Sequence, residues 1–453
     1  MEIQNKFLNA LGSGLRLIIG AIAVGIIAGC AGVLYLALVS IIFNFCFVGT
    51  VSFTYVRGIL AQESRWGVGI ILVPILGGVI VSWLLKTFGA NERGVSAPDL
   101  IPFINKDVAS KSYTVELTKA LASTITIGTG GSVGQEIPIV QLGATLSYLF
   151  SRVTNFSGKE RMILLAAGSA AGLSAAFNAP LTGITFAVEI LLFGFSLFAV
   201  CLIAISAYIG AFIGQLFVGS KIVFQLTLLP IDSWSIYFQN LLMFVPFGIW
   251  IGLVAVLFNT GLNRTEYLFS KTVKNIYLRH AIGMTLVGIM LYAMFYYSRH
   301  YYIDRLGHAT IQQVLDAVIT DGMLLLIILI AKLLSIWITL GTGASGGIFT
   351  PSLFLGAIMG ALCSLLFQHY FPHTGISHVY FIVCGMGGML AGMTGAMLTA
   401  IVFIFEITDN PQIIIYLLVT VALATYIRLI YYPRGIYTYK LFNNGLMFDG
   451  KLW

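Results

Sequence analysis

Charge is what this chain has least of. Of its 453 residues only 9% are Asp, Glu, Lys or Arg, against about 25% in soluble domains. That scarcity excludes a soluble globular fold and leaves an integral membrane protein. Cysteine is sparse as well. The five residues, Cys30, Cys46, Cys201, Cys363 and Cys384, are scattered through apolar runs without metal or disulfide spacing, and read as small packing residues. The six His residues lie at loops or helix margins and form no ligand pair, so no metal and no cofactor is expected. The β-barrel alternation of polar and apolar residues is missing, and so is a cleavable signal pattern, because the first apolar run is far too long for one. The net charge of +7 comes from Lys and Arg gathered in short loops, notably Arg264, Lys271, Lys274 and Arg279, and in the tail at Arg428, Arg434 and Lys440. By the positive-inside tendency these segments face the cytoplasm. The basic excess is thus topology and calls for no nucleic acid.

What the chain has instead is apolar length, with 58% hydrophobic residues. Residues 17–56, 67–85, 162–188, 191–220, 233–263 and 333–405 are long apolar runs. A spanning helix needs roughly 20 apolar residues, so several of these runs hold two or more passes, for roughly ten or more helical segments in all. Residues 1–15 read as a short amphipathic cytoplasmic start. The stretch 221–232 is too short to hold a soluble domain, and no appended regulatory domain is expected after the last apolar run.

One stretch occurs twice. KALASTITIGTGGSVGQEIPIVQLGA (residues 119–144) returns as KLLSIWITLGTGASGGIFTPSLFLGA (residues 332–357), with half of the aligned positions identical. The shared residues include Lys119/Lys332, Gly130/Gly343, Ser132/Ser345, Gly134/Gly347 and Pro138/Pro351. A second related pair comes later in the same order, AFNAPLTGITFAVEI (176–190) and GAMLTAIVFIFEI (395–407). The chain is therefore read as one membrane domain, 1–453, made of a first repeat at 16–220 and a second at 233–453. Glycine supplies permissive backbone and proline suits a first helical turn. Each cassette accordingly reads as a helix, an unwound glycine link, and a new helix beginning near Glu136 or near Phe349.

Unwound backbone inside a membrane is tolerated only where protein or a water-filled cavity satisfies it. Paired broken helices in two halves point to a transporter's binding site. A helix N-terminus offers free N–H groups and partial positive charge. Two of them brought together would hold a small anion without any Lys or Arg, whereas a cation would call for carboxylates or helix C-termini. Glu136 is the sole charged residue between Lys119 and Arg152, and its repeat-mate is Phe349. An isolated carboxylate in so apolar a run is expensive and marks a functional site. Because its repeat-mate Phe349 needs no charge, Glu136 reads as an unpaired gate, with a structural pairing to Lys119 or another Lys as the alternative. Glu189 and Glu406 end apolar helices in both copies and read as structural. Gly168 with Gly172, and Gly356 with Gly360, have small-xxx-small spacing and read as helix packing. GGSVG and GASGG also fit the G-x-S-x-G pattern of a serine hydrolase. That rival needs a base within hydrogen-bond reach, and duplication does not suit a single active site, so no enzymatic activity is expected.

These motifs resemble the CLC family of chloride channels and chloride/proton antiporters, in its prokaryotic form without C-terminal regulatory domains. Gly134-Gln135-Glu136-Ile137-Pro138 resembles the family's G-R/K-E-G-P, and Gly347-Ile348-Phe349-Thr350-Pro351 its G-x-F-x-P. Gly94-Val95-Ser96-Ala97-Pro98 is similar to a degenerate G-S-G-I-P, and Tyr437 stands where the family has its C-terminal anion-coordinating Tyr. The resemblance implies an all-α membrane fold of two inverted-topology repeats with discontinuous and re-entrant helices. It implies a homodimer in the inner (plasma) membrane, with a pore in each subunit. Chloride, the transported substrate, would be held by the amides of Ile348 and Phe349 and the Tyr437 hydroxyl, with Gln135 and Ile137 flanking the gate Glu136. Ionised, Glu136 would occupy an anion position; protonated, it would swing away. The chain departs from the family pattern in three places. Val95 replaces the hydroxyl donor, with Ser96 beside it; Gln135 and Ile137 make the gate loop bulkier and less basic; and Ile190 stands where antiporters carry an internal proton-relay Glu. The expectation is a weakly coupled or uncoupled chloride channel gated by voltage and pH. The alternative is a chloride/proton antiporter in which water replaces the relay.

Overall fold

The structure is a computed structural model and describes residues 2–53, 64–88, 113–192, 196–219, 224–226, 234–372 and 376–432. Among these residues there are fifteen α-helices and no strand. Eight helical segments are long and apolar enough to cross a membrane: Gly14–Val48, Gly67–Thr87, Leu197–Val218, Asn240–Thr272, Ile276–Ser298, Gly322–Gly341, Phe349–Tyr370 and Ile413–Tyr431. The apolar run 333–405 is divided as expected, by a glycine link before Phe349–Tyr370 and by turns on either side of His378–Thr394. The run 17–56 is not. Helix Glu2–Phe43 continues into a π-helical turn, Asn44–Val48, which ends at Gly49 in a left-handed conformation. Residues 2–15 and the apolar run therefore share one helix, which contains no proline and runs through Gly12 and Gly14.

The chain folds into two compact units, each assembled from three segments. The first comprises residues 1–36, 100–117 and 139–222, the second 37–99, 118–138 and 223–453. In the first unit, helix Gly158–Phe177 is buried along residues 164–177 and is built mostly of Ala, Gly and Ser. Small side chains let Leu197–Val218 lie directly against it. A Cβ added at Gly210 would stand 2.8 Å from the Cα of Ala171, and one at Gly214 3.0 Å from that of Ala175. Gly168 likewise faces the carbonyl of Gly143. In the second unit, Phe349–Tyr370 packs on His378–Thr394 through Gly356 and Gly360, where a Cβ would come within 2.7 Å of the Met386 Cα and 2.5 Å of the Ile382 Cα. The small-xxx-small pairs are thus close-approach points.

The second duplicated pair folds alike in both copies. Helix Gly158–Phe177 ends at Asn178 and His378–Thr394 at Gly395, both left-handed, a conformation that Asn and Gly accept at little cost. The next residues, Ala179 and Ala396, both have ψ 79° and open the short helices Pro180–Phe186 and Met397–Thr408.

Lys332, the first residue of the second cassette, is fully buried in helix Gly322–Gly341. Its Nζ donates to the carbonyls of Ile303 (3.1 Å), Asp304 (3.4 Å) and Arg305 (2.7 Å) and lies 4.8 Å from the centre of the Phe354 ring. One ammonium thereby satisfies a turn of backbone that has no helical partner. A buried acceptor left without its donor costs about 1–3 kcal/mol. Lys332→Met is therefore expected to destabilise the protein by at least that much, read as an earlier loss of the monodisperse peak when detergent-solubilised protein is heated before size-exclusion chromatography.

Candidate functional site

The two glycine links unwind in the same way. Gly130 and Gly343 have φ of +99° and +93°, backbone that a side chain strains to adopt. The Gly130 amide donates back to the Ile127 carbonyl at 3.1 Å and the Gly343 amide to Leu340 at 3.0 Å. The links then meet. The Gly134 amide donates to the Gly347 carbonyl and the Gly347 amide to the Gly134 carbonyl, both at 2.7 Å, in an isolated antiparallel bridge. From this bridge helix Glu136–Val153 and helix Phe349–Tyr370 set out, with Pro138 and Pro351 in matching first-turn positions. The architecture expected of each cassette is the one observed, and the antiparallel pairing is what inverted copies of one motif produce.

Glu136 is the first residue of its helix and is 1% exposed. Its Oε1 accepts the backbone amide of Thr350 at 3.0 Å and also the Thr350 hydroxyl. Its Oε2 is buried without a hydrogen-bond partner. The pairing with Lys119 is not made. The carboxyl is instead seated on the first turn of the opposite helix, where amide donors and the positive end of the helix dipole favour a negative group. Glycine is required on both sides of it. A Cβ on Gly347 would stand 3.0 Å from Oε2 and 3.1 Å from Ile137 Cγ1, and one on Gly134 3.0 Å from the Glu136 carboxyl carbon.

Around this seat the neighbours are apolar or already engaged. Ile137 is 1% exposed, Ile348 5% and Phe349 1%. The Phe349 ring meets Phe403 edge-on at 5.3 Å. Gln135 is buried with its Oε1 lacking a hydrogen bond. Ile190 lies in a π-helical turn, Ala187–Leu191, and is partly exposed. Val95, Ser96 and Tyr437 lie outside the described residues. The paired serines are structural: the Ser345 hydroxyl donates to the Lys119 carbonyl at 3.0 Å and the Ser132 hydroxyl to that of Ile303 at 3.5 Å. A nucleophilic serine would present its proton to a base instead.

Three residues of this region escape sequence reasoning. Thr350 is one, because only the meeting of the two links places its hydroxyl on Glu136. The others are Arg279 and His280, which read in the sequence as loop or margin residues and are buried here. Arg279 Nε donates to the carbonyl of Thr342 at 3.0 Å, capping the end of helix Gly322–Gly341 where the second link begins. His280 Nδ1 lies 2.6 Å from the Ser82 hydroxyl. Arg428 is likewise buried, donating to the Tyr432 carbonyl at 3.1 Å. A cation within the last turn of a helix, or just past one in the fold, is a capping signal. Only the Arg428 case is visible in the chain order.

Comparison with known proteins places this geometry among relatives. Residues 77–429 match a family described as voltage gated chloride channel. An H(+)/Cl(−) exchange transporter, ClcA, of Yersinia pestis is 31% identical over 367 residues, 80% of this chain and 75% of the relative. ClcA of Vibrio cholerae serotype O1 (strain M66-2) is 26% identical over 422 residues, 92% and 87% of the two chains. Among solved structures, a slow cyanobacterial Cl−/H+ antiporter superposes with a TM-score of 0.82 at 22% identity, covering 95% of this chain and 98% of that one. A CLC-type fluoride/proton antiporter superposes with a TM-score of 0.73 at 19% identity, covering 93% and 97%. The fold is shared across both.

The contact of Gly347 with the Glu136 carboxyl and with Ile137 has a measurable consequence. A methyl group forced into a packed site costs about 1–3 kcal/mol. Gly347→Ala is expected to lower the stability of the detergent-solubilised protein by that amount, whereas Gly322→Ala, whose Cβ meets only a Leu365 methyl at 3.9 Å, is expected to leave it equal or slightly higher.

Proposed function

The chain belongs to the voltage gated chloride channel family, and we propose that within it the protein works as a chloride/proton exchanger. The observation that carries this reading is the seat of Glu136. Its carboxyl occupies the amide of Thr350 at the start of the opposing helix, the kind of position a halide would take. A group that can be a bound anion or, once protonated, a departing neutral acid binds protons and releases its seat to chloride in one step. That exclusivity is the physical root of exchange. Relatives named as H(+)/Cl(−) exchange transporters support the same direction. They favour the antiporter over the weakly coupled channel expected from Ile190. The departure at 190 then means that the proton reaches Glu136 by a route that does not use that side chain, such as a chain of waters.

In this proposal the amides of Ile348 and Phe349 and the Tyr437 hydroxyl hold chloride along the path, Gln135 and Ile137 wall the gate, and Val95 with Ser96 line the inner end. The working protein is a homodimer in the inner (plasma) membrane, with chloride and protons as its substrates and no cofactor. No described residue cluster calls for an enzymatic reading, and the two serines of the G-x-S-x-G patterns serve the backbone.

Purified protein in proteoliposomes tests the proposal. A chloride gradient imposed without a pH gradient is expected to drive protons uphill, and acidification to speed chloride flux as Glu136 takes up its proton and leaves. Glu136→Gln is expected to keep chloride flux, flatten its pH dependence and abolish proton movement. Chloride flux through the unaltered protein with no uphill proton movement would restore the channel reading.

A further inference from the structure

The hydroxyl of Thr350 differs from those of the other threonines around the glycine links in bonding to a carboxylate. Other buried threonines of the helices that lead into the two glycine links turn their hydroxyls back to a carbonyl of their own helix. Thr339 donates to Ser335 at 2.7 Å, Thr342 to Thr339 at 2.9 Å and Thr126 to Ala122 at 2.9 Å. Thr350 is the second residue of helix Phe349–Tyr370, so the carbonyls three and four positions back belong to the glycine link. The nearer of them, that of Gly347, already accepts from Gly134. Denied a partner in its own helix, the hydroxyl is fully buried and bonded to Glu136 Oε1. The same oxygen accepts the Thr350 amide at 3.0 Å. One residue thus grips one carboxylate oxygen with two donors, while Oε2 makes no hydrogen bond.

We propose that Thr350 is a side-chain latch on the gate, a positioning residue whose hydroxyl holds the ionised Glu136 in its seat and sets how acidic the solution must be before the gate leaves. The proposal rests on the reading of Glu136 as the gate. Among the described residues no Lys, Arg or His forms an ion pair with Glu136. The groups hydrogen-bonded to its carboxyl are the backbone amide and the hydroxyl of Thr350. Gly347 and Ile137, packed against the carboxyl on its other side, bring no titratable group. Of the donors, only the hydroxyl belongs to a side chain, so it alone can be removed with the backbone left intact. The repeat-mate of Thr350 is Ile137, which shows that the mirrored position needs no hydroxyl for the fold.

The asymmetry of the contact gives the sign. The hydroxyl donates to the carboxylate and so favours the seated, charged form. Losing it lets the proton win at lower proton concentration, so flux should switch on at higher pH. A hydrogen bond to a charged group is strong enough to move such a balance about tenfold, or about one pH unit. Thr350→Val keeps the shape and removes the donor; Thr350→Ser keeps the donor and removes a methyl.

Chloride flux measured across a pH series in proteoliposomes decides the matter. The midpoint for Thr350→Val is expected about one unit above that of the unaltered protein, with Thr350→Ser close to the unaltered value. In a Glu136→Gln background the Val substitution should have no effect on the pH profile. Equal midpoints for Thr350→Val and the unaltered protein, or equal displacement by Val and Ser, would overturn the latch while leaving Glu136 as the gate. A Glu136→Gln protein with an unchanged pH profile would instead remove the gate reading itself. Should Thr350→Val fail to assemble, Thr350→Ala in its place carries the same expectation.

Discussion

Two hydrogen bonds between Gly134 and Gly347 hold the rest of this structure in register. A chain that unwinds inside a hydrophobic layer exposes amides and carbonyls that water cannot reach, and each orphan group costs several kcal/mol. Here two unwound links meet as an antiparallel pair and use each other's backbone. Because the bond is reciprocal, the two helices that leave the bridge must begin side by side. Because both residues are glycine, a carboxyl fits between the strands of the link, where a Cβ would otherwise lie.

The scaffold is close to symmetric and the chemistry is not. Matching glycines take matching positive φ, matching prolines open matching helices, and Asn178 and Gly395 turn the second pair of helices alike. At the three positions after the bridge each mirrored pair has one polar and one apolar member: Gln135 with Ile348, Glu136 with Phe349, and Ile137 with Thr350. Duplication supplies two helix starts facing one space. Divergence then places the acid on one side and its donors on the other. Fold and function are separable here in the literal sense that different residues carry them.

The buried polar groups show how this is tolerated. Lys332 spans three carbonyls of one turn, Arg279 closes the end of a helix, and Ser132 and Ser345 tie each link to a carbonyl elsewhere in the unit. Lys332, Arg279 and Ser132 are matched to carbonyls of a turn or a helix end, and Ser345 adds a second donor to a carbonyl within a helix. Glu136 differs from these groups, since one of its oxygens makes no hydrogen bond. Full satisfaction would fix it in place. In the proposed function that unmet oxygen is what leaves the acid free to give up its seat to an anion.

Much was legible in the amino-acid order. Scarcity of charge and length of apolar run determine a helical membrane protein. The duplicated G-x-S-x-G with its neighbouring proline determines where helices break, because those residues act through local backbone preference. The lone Glu136 stands out for the same reason that it is costly. What the order left open is everything that depends on which segment meets which. Whether Glu136 pairs with a lysine or not is open in the amino-acid order, and only the fold shows that its carboxyl meets Thr350, far away in the chain. The burial of Arg279 and His280 and the triple carbonyl grip of Lys332 were likewise decided by tertiary structure. Hydrogen-bond partners distant in sequence leave no periodic trace, and a residue's type states what it can donate but not which orphaned carbonyl the fold will bring to it.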